Sequence, residues 1–376
     1  VRRKTAALAA ALLLALFPCT ALAAPSTSAQ AYAVVDGETG RVLFSKNAEE
    51  KLPMASTTKV MTCLVALERC SLDEIVTVDP AAAGLEGTSM YLSAGETLTV
   101  SDLLYGLMMS SGNDAAAALA YHIAGGIEQF AALMNQKAQE IGAESTHFVN
   151  PHGLPAEGHY TTASDLAKIA AYALKNQDFA RIVSTKSMDL PADDDSPARY
   201  LRTRNKMLTM YDGGIGVKTG YTKAAGKCLV SAAERDGTRY VGVVLADPNM
   251  WEDSFALMDE AFADYKLTCV QESGETARAV VEGGLAESVG LEISEDMLLP
   301  LSEQESKMIE IKLDVPDSVS APVKKGDVLG SVSAVLNGEV LMTADVTAAE
   351  SVEEITFEYH LQRIISQWLS RLSLGA

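Results

Sequence analysis

Basic residues are scarce in this chain. Thirty lysines and arginines stand against fifty acids over 376 residues, a formal net charge of −20. That argues against nucleic acid as a partner, because neutralising phosphate needs clustered Lys and Arg. The histidines, His122, His147, His152, His159 and His360, show no His-Glu-x-x-His spacing, so the zinc-peptidase pattern is missing. No metal and no cofactor are expected. The apolar run Ala6 to Leu16 is too short to span a bilayer, and no other run is long or apolar enough. Cysteines are few. Cys63 and Cys70 fall two turns apart on one predicted helix, ~10 Å at a rise of ~1.5 Å per residue, too far for a disulfide. Cys228 with Cys269 has no supporting spacing. The expectation is buried free thiols.

What is present begins at the N-terminus. Arg2, Arg3 and Lys4 precede the apolar Ala6–Leu16 run, and Ala21-Leu22-Ala23 follows. A basic start, an apolar middle and an Ala-x-Ala end form an export signal over residues 1–24. Phe17-Pro18 makes Cys19 a poor lipoprotein site. The protein is expected outside the cytoplasm: on the outer face of the cytoplasmic membrane, in the periplasm or in the wall.

Two strand-like runs, Tyr32 to Val35 and Arg41 to Phe44, flank the hairpin chemistry of Asp36-Gly37-Glu38-Thr39-Gly40. Helical spacing then dominates: Lys59 to Leu67, Ser101 to Met108, Ala115 to Ile123, Phe130 to Ile141, and a segment to Leu174 that Ser164-Asp165 is expected to cap. The polar Asp193-Asp194-Asp195-Ser196-Pro197 reads as a loop. Ile215 to Thr222, Cys228 to Glu234 and Tyr240 to Ala246 read as strands, and Phe255 to Tyr265 as a closing helix. This order predicts an α+β fold, one antiparallel sheet with helices packed on it. Near Cys269 the composition shifts. Residues 271–352, with turns at Lys325-Gly326-Asp327 and Asn337-Gly338, read as a small all-β domain after a catalytic domain over 25–270.

Three short elements carry chemistry. Ser56-Thr57-Thr58-Lys59 stands at a predicted helix start. Residues three apart share a helix face, so the Lys59 amine can reach the Ser56 hydroxyl. Serine needs such a base in contact, and lysine serves only if burial or nearby cations keep it partly neutral. Ser111-Gly112-Asn113 reads as a turn between helices, with a hydroxyl to relay a proton and an amide to hold a peptide. Lys218-Thr219-Gly220 lies in a predicted strand, where a cation and a hydroxyl suit a carboxylate and glycine permits close approach. Singly, each fits equally a capped helix, a Gly turn and a solvent-facing strand lysine.

Together, in this order, they match the Ser-x-x-Lys, Ser-x-Asn and Lys-Thr-Gly set of β-lactamases and penicillin-binding proteins. The wider text, Pro53 to Thr62, Ser111 to Ala115, Phe148 to Leu154 and Gly216 to Thr222, resembles the low-molecular-mass penicillin-binding proteins, serine-type D-alanyl-D-alanine carboxypeptidases. Ala321 to Asp327 is similar to that family's β-rich C-terminal domain. The resemblance implies a β-lactamase-like catalytic domain that removes the terminal D-alanine from peptidoglycan stem peptides and is acylated by β-lactam antibiotics. Ser56 would be the nucleophile, Lys59 its base and Ser111 the proton relay. Asn113 would bind the peptide, Lys218 and Thr219 the terminal carboxylate, and the N–H groups of Ser56 and Tyr221, beside Gly220, would form the oxyanion hole. Asn150 to Leu154 would close the floor, with His152 either positioning a group or simply packed there. A class A lactamase would carry a loop glutamate, and Phe148 to Leu154 has no acid. A non-catalytic penicillin sensor is the rival of another class, and three intact motifs argue against it.

Residues 355–376 return to a helical period. Leu361, Ile364, Ile365, Trp368, Leu369 and Leu372 form one face, with Arg363 and Arg371 largely opposite. The segment is too polar to span a bilayer. It suits a helix lying in the membrane interface, or one packed on the β domain.

Overall fold

The computed structural model describes residues 25–192 and 196–373, with side chains of the last helix described as far as Trp368. The export signal over 1–24, the acidic run Asp193 to Asp195, and the side chains of Leu369, Arg371 and Leu372 lie outside the described residues. The chain divides into two compact units, up to Ala261 and from Phe262 on.

The first unit is built on a five-stranded antiparallel sheet: β1 (Ala31–Asp36), β2 (Val42–Lys46), β7 (Gly214–Thr222), β8 (Gly226–Arg235) and β9 (Thr238–Leu245), in the order β2-β1-β9-β8-β7. Every residue of β1 is buried, as a strand covered on both faces must be. β7 forms one edge, so its far side is open to whatever the helices present there.

The central helix is α1 (Lys59–Arg69), buried all round from Lys59 to Ala66, which marks a helix inside a core. Around it lie α2 (Val100–Met109), α3 (Asn113–Ala124), α4 (Ile127–Ile141) and α5 (Ala163–Leu174). Thr99 caps α2 with a reciprocal bond to Asp102, a capping box that fixes the helix start. α5 is capped by Thr162, whose hydroxyl accepts from the Asp165 N–H, and not by Ser164-Asp165 as the sequence suggested. Ser164 is already inside the helix, because the β-region backbone a cap needs falls at Thr162. A short helix, α6 (Gln177–Ser184), escaped the periodicity. Its eight residues carry one short apolar face, Phe179, Ile182 and Val183, too brief to set a period, and Asn176 caps it. A small hairpin follows, β5 (Ser187–Leu190) with β6 (Arg199–Arg202), the counterpart of the short pair β3 (Ile75–Thr77) and β4 (Thr97–Thr99) ahead of α2. The closing helix begins earlier than its apolar pattern, at Met250, and runs to Asp264.

The second unit is mainly β. β10 (Tyr265–Gln271) pairs with β13 (Met297–Ser302), and the larger part is a six-stranded sheet that joins β11 (Gly274–Glu282), β12 (Ser288–Ile293), β14 (Glu310–Asp314) and β15 (Ser318–Ser320) to a hairpin over 328–348. Asn337 and Gly338, both at positive φ, turn the chain between β16 (Val328–Leu336) and β17 (Glu339–Ala348). That is the two-residue primed turn their sequence predicts. A helix from Phe357 to Ser373 ends the unit. None of the described helices is long and apolar enough to cross a membrane.

The cysteine expectation is corrected in part. The four cysteines among the described residues are free, and Cys63 and Cys228 are buried, but Cys70 is half-buried and Cys269 exposed. Cys70 follows the last turn of α1 and Cys269 sits in a two-stranded pairing, and neither place is enclosed on all sides.

Candidate active site

Ser56 sits on a single 3-10 turn, Ala55–Thr58, that leads into α1. The turn is closed by its own side chains. Thr57 Oγ1 donates to the Met54 carbonyl at 2.6 Å and Thr58 Oγ1 to the Ala55 carbonyl at 2.8 Å. Ala55 is held at φ +49°, a left-handed conformation that costs a non-glycine residue about 1–2 kcal/mol. The floor loop permits it. A side chain at Gly153, itself at φ +88°, would come within 1.9 Å of the Ala55 oxygen. The turn therefore presents Ser56 half-buried at the mouth of a cavity, one helical turn from Lys59.

Lys59 is fully buried. Its Nζ lies 3.1 Å from Ser56 Oγ, 2.7 Å from Asn113 Oδ1 and 2.6 Å from the His152 carbonyl. Burial pulls its pKa well below that of an ordinary lysine, and the Lys218 charge adds to this, while Asp114 opposes it. A buried ammonium with no carboxylate partner is the costly state, so the neutral amine is favoured. Thr62 Oγ1 donates to the Pro151 carbonyl at 2.6 Å, and Asn150 Oδ1 accepts from the Gly153 N–H at 2.7 Å. These bonds fix the loop so that the His152 carbonyl, and not its ring, meets Lys59. Burial lowers the His152 pKa to about 4, so the ring is neutral at pH 7.

Ser111 stands at φ +60° between α2 and α3, and its carbonyl accepts from Thr88 Oγ1 at 2.5 Å. Asn113, the first residue of α3, is buried and ties two sides of the cavity together. Its Oδ1 meets Lys59, and its Nδ2 donates to the Glu86 carbonyl at 2.6 Å.

The third wall is the edge strand β7. Lys218 is buried, 2 % exposed, and not solvent-facing. Burial lowers its pKa to about 7. A Cβ at Gly220 would lie 3.0 Å from the Met54 oxygen and 3.1 Å from the Ser56 and Thr57 nitrogens. Glycine here lets the strand close on the turn that carries the serine. Tyr221 is exposed.

Ser56, Ser111, Asn113, Lys218, Thr219, Gly220 and Tyr221 all line one cavity of about 480 Å³, and Lys59 stands behind Ser56. A hydroxyl, an amine of lowered pKa against it, and a second buried lysine across the cavity suit acyl transfer from a substrate bearing a carboxylate.

The family model for D-alanyl-D-alanine carboxypeptidases matches residues 19–249, and that for the C-terminal domain of penicillin-binding protein 5 matches residues 265–354. The chain belongs to the D-alanyl-D-alanine carboxypeptidase family. Its relatives include the carboxypeptidase DacF of Bacillus subtilis, 33 % identical over 351 residues and 90 % of either chain. Another is DacB2 of Mycobacterium tuberculosis, 37 % identical over 254 residues, 65 % of this chain and 86 % of that protein. Among solved structures, penicillin binding protein 5 from Haemophilus influenzae aligns with a TM-score of 0.72 at 28 % identity, over 88 % of this chain and 99 % of that one.

The carboxypeptidase site also relies on residues that motif reading passed over. Asp114 is buried and accepts from the N–H groups of Met90 and Leu92 and from the Ser89 hydroxyl. Arg199 donates to the Met90 and Tyr91 carbonyls and pairs with the buried Glu96 at 2.6 Å. His159 Nε2 lies 2.9 Å from Thr58 Oγ1. Only Asp114 carried a local signal, as the acid in the first turn of α3. The others act across long sequence separations.

Proposed function

We propose that this serine-type D-Ala-D-Ala carboxypeptidase, which acts on peptidoglycan outside the cytoplasm, works through an acyl-enzyme on Ser56. The observation that carries the reading is the 3.1 Å contact between Ser56 Oγ and the Lys59 amine, whose pKa burial lowers. A neutral amine has two N–H groups. Spending them on Asn113 Oδ1 and the His152 carbonyl leaves its lone pair for the Ser56 proton. Ser56 Oγ then attacks the carbonyl between the two D-alanines as Lys59 takes that proton. The Ser56 and Tyr221 N–H groups receive the developing oxyanion, donors worth about 2.7–4 kcal/mol each in comparable hydrolases. Ser111 passes a proton to the leaving amine of D-alanine, whose carboxylate lies on Lys218 and Thr219, and Asn113 holds the peptide. Water attacks the ester, the bond to Ser56 breaks, and the shortened peptide leaves. A β-lactam enters the same path and stays as the acyl adduct.

Mass spectrometry tests this directly. The soluble protein should release D-alanine from a D-Ala-D-Ala peptide and gain one adduct with penicillin. Ser56→Ala, still folded, should do neither. An adduct retained on another serine would overturn the assignment.

The C-terminal helix is the proposed membrane contact, with the protein at the outer face of the cytoplasmic membrane after export. Leu361, Ile364, Ile365 and Trp368 are all exposed, Ile364 by 63 % and Trp368 by 64 %. Each large side chain buried in lipid contributes at most about 1.5–3 kcal/mol. Ile364→Glu with Ile365→Glu should abolish binding to anionic vesicles and leave turnover of a soluble peptide unchanged. Vesicle binding equal to wild type would remove the anchor.

A further inference from the structure

A second cavity adjoins the first. It has a volume of about 1230 Å³ and shares Gly87, Thr88, Ser110, Thr203, Arg204 and Asn205 with the cavity that holds Ser56. The two are therefore one continuous surface. The smaller cavity already holds the residues that would take up D-Ala-D-Ala, so the larger one is space for whatever precedes that dipeptide.

The lining of the larger cavity is charged in one sense. Lys186, Arg202 and Arg204 border it, and no Asp or Glu does among the described residues. This is a cationic patch on a chain of net charge −20. Lys186, Arg202 and Arg204 make no ion pair among the described residues, whereas Arg199, a short way along the same strand as Arg202, is committed to Glu96. Lys186 and Arg202 both stand at the open end of the hairpin and line the cavity. Ser187 pairs with Arg202, and the Thr203 N–H bonds to the Lys186 carbonyl. Two tyrosines flank them with rings in solvent, Tyr91 86 % and Tyr200 65 % exposed. Tyr91 is held at φ +62°, in a conformation that persists only where surrounding structure enforces it. The Arg199 bond to its carbonyl and the Ser89 bond to its N–H do so. A strained backbone that keeps an aromatic ring out of the core, beside unpaired cations, is built for a ligand.

We propose that this groove is the subsite for the wall peptide upstream of D-Ala-D-Ala, and that Lys186 and Arg202 select a free carboxylate there while Tyr91 and Tyr200 pack on the peptide chain. The proposal rests on the D-Ala-D-Ala reading of the smaller cavity and names what that site prefers beyond the dipeptide.

The test compares two soluble peptides that differ in one group: acetyl-γ-D-glutamyl-Nε-acetyl-lysyl-D-Ala-D-Ala, with its free α-carboxylate, and the same peptide with that group as the carboxamide. Exposed charge pairs are weak, so wild type should favour the carboxylate roughly three- to tenfold in kcat/KM, mostly through KM, and less at high salt. Lys186→Gln with Arg202→Gln should erase the preference, with turnover of the short diacetyl-lysyl-D-Ala-D-Ala unchanged. Affinities measured calorimetrically on Ser56→Ala read the groove without turnover and should show the same ratio. Equal values for the two peptides in wild type, or a preference that survives the double substitution, would overturn the subsite. Loss of turnover on the short peptide by wild type would instead strike the acyl-enzyme reading, and the calorimetric ratio would still decide the groove.

Discussion

The two units bury different things. The first holds Lys59, Lys218, Asp114, Glu96 and two neutral histidines inside its core. The second, among the described residues, buries one polar side chain, Ser302, and otherwise packs Val, Leu, Ile, Met and Ala. Backbone strain divides the same way. Of the seven described non-glycine residues at positive φ, six lie in the first unit, Ala55, Tyr91 and Ser111 of them around the cavities, and the second unit has Asn337, in a hairpin turn that favours it. Buried charge and enforced φ each cost stability. Both costs fall almost wholly in the first unit, Lys59, Lys218, Ala55, Tyr91 and Ser111 at or beside the cavities, and the described β unit carries little of either.

The contrast is broken most severely at Lys218. Lys218→Gln should lower kcat/KM by about a hundredfold or more, the scale of losing a buried charged contact to a carboxylate. It should not lower Tm, because it removes a buried charge. The signs can be checked against pH. Lys218 titrates near 7 in the fold and near 10.4 in the unfolded chain, so its burial cost is full below pH 7 and fades toward pH 10. The thermal gain of the variant should shrink across that window. Lys218 also helps to depress Lys59, so the rising limb of acylation should move to higher pH in the variant. Unchanged kcat/KM in stopped assays would make Lys218 a structural residue only.

Asp114 tests the same contrast through the scaffold. Asp114→Ala leaves the N–H groups of Met90 and Leu92 and the Ser89 hydroxyl without their acceptor. Denaturant unfolding should show a loss of about 2–4 kcal/mol. Glu275→Ala in the β unit breaks an exposed pair with Arg278 and should cost less than ~1 kcal/mol. Similar losses at the two positions would erase the distinction.

A smaller effect than that of Asp114→Ala belongs to the β hairpin. Gly338 stands at φ +89° with open space around it. Gly338→Ala should cost about 1–2 kcal/mol through backbone strain alone, seen as faster amide exchange in β16 and β17, with peptide turnover untouched. A fall in turnover would mean that the β unit shapes the site.

Local patterns carried much of this protein. The 3.6-residue period from Lys59 to Leu67, the alternation around Lys218 and the Asn337-Gly338 turn depend on neighbours in the chain, so they could be read from it. So could the set of three motifs, because order and residue type survive without coordinates. The cap of α5 at Thr162 went unread because Ser164 and Asp165 offer the same chemistry two residues later, and only the backbone angles choose between them. Burial of Lys218 was equally illegible, since a strand lysine faces solvent or core according to what packs on the sheet edge. Tertiary structure alone brought the His152 carbonyl and Asn113 Oδ1 to Lys59, tied Arg199 to Glu96, and brought Lys186 and Arg202 to the wall of one cavity. These contacts join residues from about fifteen to a hundred positions apart, and no periodicity along a chain encodes which distant atoms meet when its core closes.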